Sequence, residues 1–277
     1  MSVVRSLLLS LVALLLIWCV VEANENLESH PPITILSDSD FTASNGVRGG
    51  DGTIDAPYII SHWHIDGEQT GYCIRVADVS SIFRIEHCVL IRGGGYAVEL
   101  SGIKRAEIIS TCISNSLFGV LLELCDQIHV CDCCFDEITW ETLSLVGSSL
   151  CEITGCLFVE AGTAIRLREM SISNKIIGNA FLHESRMAIR LEPQCGGNLI
   201  ALNDFHTAWC YSDSYNRWSD SEGKGNYWSR YRGNDEDGDG VGDTPGIMLG
   251  WEVDPYPSMM PYHPEAETAW CACEGTE

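Results

Sequence analysis

Oxygen-bearing residues recur at alternate positions near the C-terminus, in Asp235, Asp237, Asp239, Val241 (through its carbonyl group) and Asp243. Donors at this spacing can wrap a hard cation, and Gly240 allows the sharp turn that such a loop needs. The bidentate Glu that closes an EF-hand at position twelve is replaced by Gly246. The pattern therefore predicts a truncated loop that binds calcium in a structural role.

Two other sets of residues suggest binding chemistry. Four aromatic residues precede the acidic loop in a polar segment: Trp209, Tyr211, Tyr215 and Trp218. Aromatic rings can stack on sugar rings, so these four are the predicted carbohydrate-binding residues. The alternative is that the same segment packs against the rest of the protein.

Copper is a second metal to consider, because thiolate and imidazole groups suit copper(I). His129, Cys131 and Cys133 lie close in sequence, as do His62 and His64. On a strand, however, residues two apart share a face, and Cys133 would lie beyond the bend that ends its strand. A copper site is therefore not predicted.

These groups lie within or next to a part of the chain that repeats a six-residue pattern. This pattern reads apolar-x-x-(Asn/Cys/Thr)-x-apolar, and its fourth residues are spaced by 22 to 24 positions: Cys88, Thr111, Cys133, Cys156, Asn179 and Asn203. A second series of short apolar alternations recurs in phase with it, from Ile74–Val76 to Ile189–Leu191. Two short strands per period predict an all-β solenoid, a parallel β-helix of about seven to eight coils.

Stacked coils bring equivalent cysteines together. Adjacent coils lie about 4.8 Å apart, which is within the Cα separation that a disulfide allows. Disulfides are therefore predicted as possible between Cys112 and Cys134 and between Cys133 and Cys156. The alternative is that these are small buried core residues. Cys271 and Cys273 could pair with each other, or with Cys195 or Cys210.

The N-terminus predicts export. One basic residue, an apolar run and small residues near Ala23 resemble a signal peptide, with an uncleaved membrane anchor as the alternative. The predicted organisation is a signal peptide (1–23), an N-terminal cap (24–58), β-helix repeats (59–228), a C-terminal cap with the acidic loop (229–262) and a tail (263–277). No stable membrane span is expected after cleavage, so the protein would be secreted, periplasmic or on the cell surface.

The net charge of −23 bears on partners. A strongly acidic surface repels phosphate backbones, so nucleic acid is not an expected partner. The composition suits a soluble exported protein in a cation-rich environment.

Both ends of the predicted rod carry long motifs. "DFTASNGVRGGDGTIDAPYII" begins at Asp40 and "GNYWSRYRGNDEDGDGVGDTP" begins at Gly225. They closely resemble the opening and closing signatures of NosD-like right-handed β-helix proteins, and the resemblance extends from about Pro32 to Pro257. It implies a right-handed helix of the pectate-lyase-like superfamily, whose shared module is linked to carbohydrate binding and sugar hydrolysis.

The resemblance leaves three functions open. Polysaccharide lyases of this fold use a basic residue beside acidic residues that hold calcium, and Arg166 and Arg190 could clamp a uronate carboxylate. No Asp cluster adjoins these arginines in the predicted columns, so they are weak catalytic candidates. The favoured function is a non-catalytic binding or structural module with polysaccharide or cell-surface glycan as ligand. The alternatives are a polysaccharide lyase, hydrolase or epimerase, and a copper-delivery accessory protein like the family's namesake.

Overall fold

The computed structural model describes residues 27–182, 187–206, 209–247, 249–264 and 266. The predicted signal peptide (1–23) and most of the tail lie outside these residues. Within the described part of the chain, no helix is long and apolar enough to cross a membrane.

The periodic part of the chain folds as a parallel β-helix of about seven turns, as the repeat predicts. Each coil contributes to three faces, however, and not only the two strands per period that the sequence indicates. The first face is an eight-stranded sheet. An antiparallel strand, Val47–Gly49, begins it, and seven parallel strands follow: Tyr58–Ser61, Phe83–Glu86, Ala106–Ile109, Ile128–Cys131, Glu152–Thr154, Lys175–Ile177 and Leu199–Ala201.

The second and third faces form one 16-stranded sheet, because two long strands, Cys112–Glu123 and Cys134–Val146, run through both. The other strands of the second face are Glu28–Ser29, Trp63–Asp66, Val89–Ile91, Leu157–Phe158, Ala180–Phe181, Asp204–Phe205 and Tyr227–Trp228. The other strands of the third face are Ile33–Ile35, Ile74–Ala77, Tyr96–Ser101, Ala161–Arg168, Met187–Leu191, Trp209–Ser212 and Leu249–Gly250.

Short elements complete the two ends. Two 3-10 helices, Asp38–Asp40 and Ala43–Asn45, precede the first coil, and the strands Gly246–Ile247 and Val253–Asp254 pair antiparallel after the last. Both ends are thus built from segments that differ from the coils they close.

Alternation along each strand fills the lumen. Successive strand residues point to opposite sides, so like residues stack in files along the axis. Phe135, Phe158, Phe181 and Phe205 are almost fully buried, with successive ring centroids 5.0, 4.8 and 4.9 Å apart, and Trp228 extends the file at 4.3 Å. The spacing of the rings equals that of the coils, so each ring packs on the next one.

Candidate functional site

A β-bulge lies at the corner between the second and third faces. Between Ile138 and Glu141 the strand holds two residues, Thr139 and Trp140, where each neighbouring strand holds one. A bulge of this kind redirects a side chain, and Trp140 is 60% exposed. The facing residue is Gly162, where a Cβ atom would lie 2.6 Å from the carbonyl oxygen of Trp140. The bulge therefore depends on glycine at that position.

A cavity of about 750 Å³ opens beside the bulge. Its lining combines an indole ring with acidic and basic side chains: Glu137, Trp140, Glu160, Thr163, Met187 and Arg190. Such a mixture of one large apolar surface with a few polar groups is typical of ligand-binding sites.

A second cavity, of about 500 Å³, lies at the C-terminal end of the same corner. Its larger side chains are aromatic or cationic: Trp209, Trp228, Arg230, Tyr231 and Arg232. The guanidinium of Arg230 lies 4.7 Å from the ring centroid of Trp209. Because Met187 pairs with Trp209 in register, the two cavities occupy neighbouring coils. We refer to them together as the corner groove.

Arg190 lies in this groove, whereas Arg166 does not line either cavity. The two arginines are register neighbours, as the sequence predicts. The guanidinium of Arg190 lies 6.0 Å from the ring centroid of Tyr211. Arg166 instead forms ion pairs with Glu141 and with Glu192, its Nε lying 2.9 Å from Oε1 of Glu192.

The ion pairs around Arg166 make it a poor general base. Burial disfavours its charge, but the hydrogen bonds to Glu192 and Glu141 outweigh burial, and the pKa of Arg166 lies above its ordinary value. Glu141 also accepts hydrogen bonds from Ser144 (2.5 Å) and Arg168 (3.2 Å). Glu192 thus pairs with Arg166, and Arg168 pairs with Glu141.

The four predicted aromatic residues do not form one platform. Trp209 is 42% exposed in the corner groove, and the hydroxyl of Tyr211 donates to Asp213 at 2.8 Å. Tyr215 is 80% exposed and packs edge-on against Trp251. The prediction for Trp218 is wrong: only 2% of it is exposed, because it packs into the core and its indole nitrogen donates to Glu252 at 2.9 Å.

The acidic loop brings three of its five predicted ligands together. Ligand atoms of Asp235, Asp237 and Asp239 all lie within 4.8 Å of one another. Asp243 is outside this group, and its carboxylate accepts a hydrogen bond from the backbone nitrogen of Glu236, within the loop, at 2.7 Å. Val241 forms an isolated antiparallel β-bridge with Ser258. The three carboxylates suit a hard cation, and calcium stays a prediction.

The cysteines fall into two environments. Nine described cysteines are free thiols, and all of these but Cys131 are buried. Cys133 and Cys156 are among them, so the second predicted disulfide is not formed; their thiols point inward to backbone carbonyls, at 3.5 Å from Ile108 and 3.6 Å from Val130. Cys195 and Cys210 are also free, which excludes the bonds considered between them and the tail in this structure.

Cys112 and Cys134 differ from the other described cysteines. They lie opposite each other in register, and neither is a free thiol. The predicted bond between them stays a prediction.

The comparisons with known proteins agree with this architecture. Residues 57–233 match the sequence profile of the family described as "Periplasmic copper-binding protein (NosD)". The chain belongs to the NosD family. Among solved structures, it is similar to an alginate lyase from Paenibacillus sp. str. FPU-7, with 16% identity, 71% of this chain and 74% of the lyase covered, and a TM-score of 0.50. That likeness concerns the fold alone. None of the curated proteins matches the chain.

The one group of three converging potential ligands in the described residues does not carry the donors that the description of the NosD family suggests. Copper(I) prefers thiolate and imidazole donors. In the described part of the chain, three potential ligands converge only at Asp235, Asp237 and Asp239, which present carboxylate oxygens. Burial raises the pKa of the Cys88 thiol to about 12, and His129 pairs with Glu152 at 3.1 Å. The three carboxylates are not the donors that copper(I) prefers.

Proposed function

We propose that this NosD-family protein is an exported, non-catalytic module that binds an acidic polysaccharide in the corner groove. The single observation that carries the proposal is the exposed indole of Trp140 beside the larger cavity. Leaving apolar surface in water costs about 25 cal/mol per Å². The C–H face of a sugar ring would cover this surface. A bound sugar would therefore explain why the bulge exposes an indole ring, which packing within the chain does not explain.

The polar lining supports carbohydrate as the ligand class. Glu137 and Glu160 flank Trp140 and Gly162 in the larger cavity. Carboxylates accept hydrogen bonds from hydroxyl groups, and sugar rings present hydroxyls around an apolar face. An aromatic surface bordered by such acceptors therefore matches both the apolar face and the hydroxyl groups of a pyranose ring.

The cations favour acidic sugars. The chain carries a net charge of −23, yet Arg190 lines the larger cavity and Arg230 and Arg232 line the smaller one. An arginine can bind a carboxylate through two parallel hydrogen bonds. The acidic surface elsewhere would repel a polyanion, so a uronate-containing chain would be directed to the corner groove.

The ion pairs of Arg166 and the position of Arg190 favour ligand binding over catalysis. Arg166 is neutralised by Glu141 and Glu192, and its raised pKa opposes the loss of a proton. A polysaccharide lyase needs a group that removes a proton from the sugar. Arg190 lies in the groove as a cation that can bind a carboxylate. Its role would then be to position the ligand rather than to remove a proton.

The test is calorimetric titration with alginate oligosaccharides, and with neutral xylo-oligosaccharides for comparison. Wild type should bind the acidic ligand more tightly. Trp140→Ala should weaken that binding at least tenfold, since the stacking surface is lost. Trp251→Ala is the matched control, because Trp251 is also exposed, at 53%, and packs against Tyr215 rather than in the groove.

Two outcomes would contradict the proposal. Equal affinities of wild type and Trp140→Ala for the acidic oligosaccharide would show that the corner groove is not the binding site. Release of unsaturated uronate products during the titration would show that the protein is a lyase rather than a non-catalytic binding module.

A further inference from the structure

Four exposed apolar side chains lie together at the corner between the third and the first face. Leu124, Leu150, Met170 and Ile172 are between 40% and 65% exposed. They belong to three consecutive turns, 123–127, 146–150 and 168–173, each of which leads from a third-face strand to a first-face strand. Leu124 extends over the next turn, since a Cβ atom at Gly147 would lie 3.0 Å from its Cδ2. We refer to the four residues as the apolar ridge.

Three residues of the apolar ridge have a backbone conformation that favours glycine. Leu124, Leu150 and Met170 have φ angles of 51°, 56° and 62°, and bulky side chains are rare in this left-handed region. Gly102 and Gly147, beside Leu124 on the two neighbouring coils, have the same conformation. Strained residues cluster at functional sites, and exposed apolar patches mark interaction surfaces. The turns do not require these side chains, which indicates a surface that another molecule covers.

The two ends of the apolar ridge carry opposite charges. Lys104 and Arg105 are exposed in the turn that precedes the ridge, 101–105, which holds no acidic residue. Glu169 is exposed in the last turn of the ridge. Arg168, in the same turn, is engaged with Glu141 on the third face. Within the described part of the chain, Lys104, Arg105 and Glu169 form no ion pair. Each end of the ridge can therefore attract an oppositely charged partner.

The positions of these residues match a two-fold axis. The four turns from 101–105 to 168–173 are stacked at intervals of about 4.8 Å. An axis that points outward between the second and third turns exchanges the first turn with the fourth, and the third-face end of each turn with a first-face end. Leu124, at the third-face end of the second turn, is thereby exchanged with Leu150, at the first-face end of the third. Arg105 and Glu169 are exchanged in the same way.

We propose that the apolar ridge is the contact of a two-fold dimer, in which it packs antiparallel against the ridge of a second copy of this chain. Leu124 of each copy then faces Leu150 of the other, and Arg105 of each copy faces Glu169 of the other. The turn 146–150 has no ionisable side chain, so Glu123 and Asp126 of the turn before it meet no like charge there. The leucine contact removes apolar surface from water, and the charge pairs fix the register.

The net charge of −23 makes the place of contact specific. Two such chains repel each other over most of their surface, whereas the symmetry of the ridge places a basic residue opposite an acidic one twice. A single ridge buries less surface than the interface of an obligate dimer, so the association should be reversible and depend on protein concentration. The ridge shares no residue with the corner groove, and the dimer is therefore independent of the proposed polysaccharide binding.

Sedimentation-velocity ultracentrifugation over a series of protein concentrations tests the proposal. Wild type should change from monomer to dimer as the concentration rises. Leu150→Glu should raise the dissociation constant of the dimer at least about tenfold, because it would bury a charge against Leu124 of the second copy. Ile54→Glu is the matched control, since Ile54 is similarly exposed, at 62%, outside the ridge. A dimer that Leu150→Glu leaves unchanged would overturn this contact.

An exchange of charges tests which residues face each other. Arg105→Glu alone and Glu169→Arg alone should each weaken the dimer, because like charges then face each other at both ends of the ridge. An equimolar mixture of the two variants should restore the dimer, since opposite charges face each other at both ends of the mixed pair. Failure of the mixture to associate would overturn the antiparallel arrangement.

A wild type that stays monomeric throughout the concentration series would overturn the dimer itself. Binding of that monomer to phosphatidylcholine vesicles would then assign the apolar ridge to a membrane surface.

Discussion

The two halves of the β-helix fill the same corner position in different ways. In the N-terminal half it holds Cys88, Thr111, Cys133 and Cys156. The three thiols lie 3.8, 3.5 and 3.6 Å from a carbonyl of the preceding coil. In the C-terminal half it holds Asn179, Asn203 and Asn226. Thiols are weak donors, so these cysteines contribute mainly by packing, whereas the asparagines make directional bonds.

Asn203 shows what each asparagine contributes. Its Nδ2 donates to the carbonyl of Ile176 and to Oδ1 of Asn226, each at 2.9 Å, and its own Oδ1 accepts from the backbone nitrogen and Nδ2 of Asn179, each at 3.0 Å. The result is a ladder along the axis that links consecutive coils. A second ladder in the same half joins Asn174, Asn198 and Asn216.

Both ladders end on a carboxylate. Besides its bond to the preceding coil, each asparagine donates to an acceptor further towards the C-terminus, so the last one in each ladder needs an acceptor from the cap. Asp254 accepts from the backbone nitrogen and Nδ2 of Asn226, at 2.7 and 3.1 Å, and Glu252 accepts from the backbone nitrogen of Asn216. Ionised carboxylates are acceptors alone. The cap therefore closes a directional network that packing alone would not require.

The largest effect is expected for Asn203→Ala. The change leaves the carbonyl of Ile176 and the two donors of Asn179 without their partners inside the core. Each unsatisfied buried group costs about 1–3 kcal/mol. We expect a loss of at least about 3 kcal/mol in the free energy of unfolding, measured by urea denaturation. Cys133→Ala, the matched change in the N-terminal half, should cost about 1–2 kcal/mol. Equal losses would mean that the ladder adds nothing to packing.

Calcium should stabilise the C-terminal end to a smaller extent. A ligand present at 100 times its Kd stabilises the folded state by about 2.7 kcal/mol. Extracellular calcium-binding modules have a Kd of about 10⁻⁴–10⁻³ M for calcium. Wild type should release or absorb heat on titration and gain thermal stability, because Asp235, Asp237 and Asp239 converge. Asp237→Ala and Asp239→Ala should lose both effects.

The N-terminal end provides the control for calcium. Asp51 lies in an exposed turn there and accepts hydrogen bonds from Thr53, so Asp51→Ala should leave the calcium response unchanged. Absence of any response in wild type would end the calcium hypothesis.

The fold was predictable because stacking repeats one environment on every coil. A column of small corner residues and a column of apolar alternations follow from that repetition, and both occur where the sequence places them. Trp218 was mispredicted because its segment is polar, while its own ring enters the core to reach Glu252. A sequence without periodicity at that point gives no indication of which side a ring faces.

The corner groove was only partly predictable. Trp140 was missed, although the sequence carries a signal: Thr111 and Val120 are nine residues apart, Cys133 and Leu143 ten, and Cys156 and Ile165 nine. The extra residue in the middle coil is the bulge. The partners of Arg166 could not be derived, because Glu141 enters the network through that bulge, and the length of a bulge is not fixed by the alternation on either side of it.

The smallest and most direct test of the comparison is Cys156→Asn. The backbone nitrogen of Cys156 already donates to Oδ1 of Asn179 at 2.9 Å, so the ladder ends one coil short of this position. An asparagine here could donate to Oδ1 of Asn179 and to the carbonyl of Val130, which the thiol contacts at 3.6 Å. A net hydrogen bond contributes about 1 kcal/mol, and we expect a gain of that size by urea denaturation. Cys156→Ala should instead lose about 1 kcal/mol. If both variants lose stability equally, the N-terminal coils require a small side chain at this corner rather than a directional one.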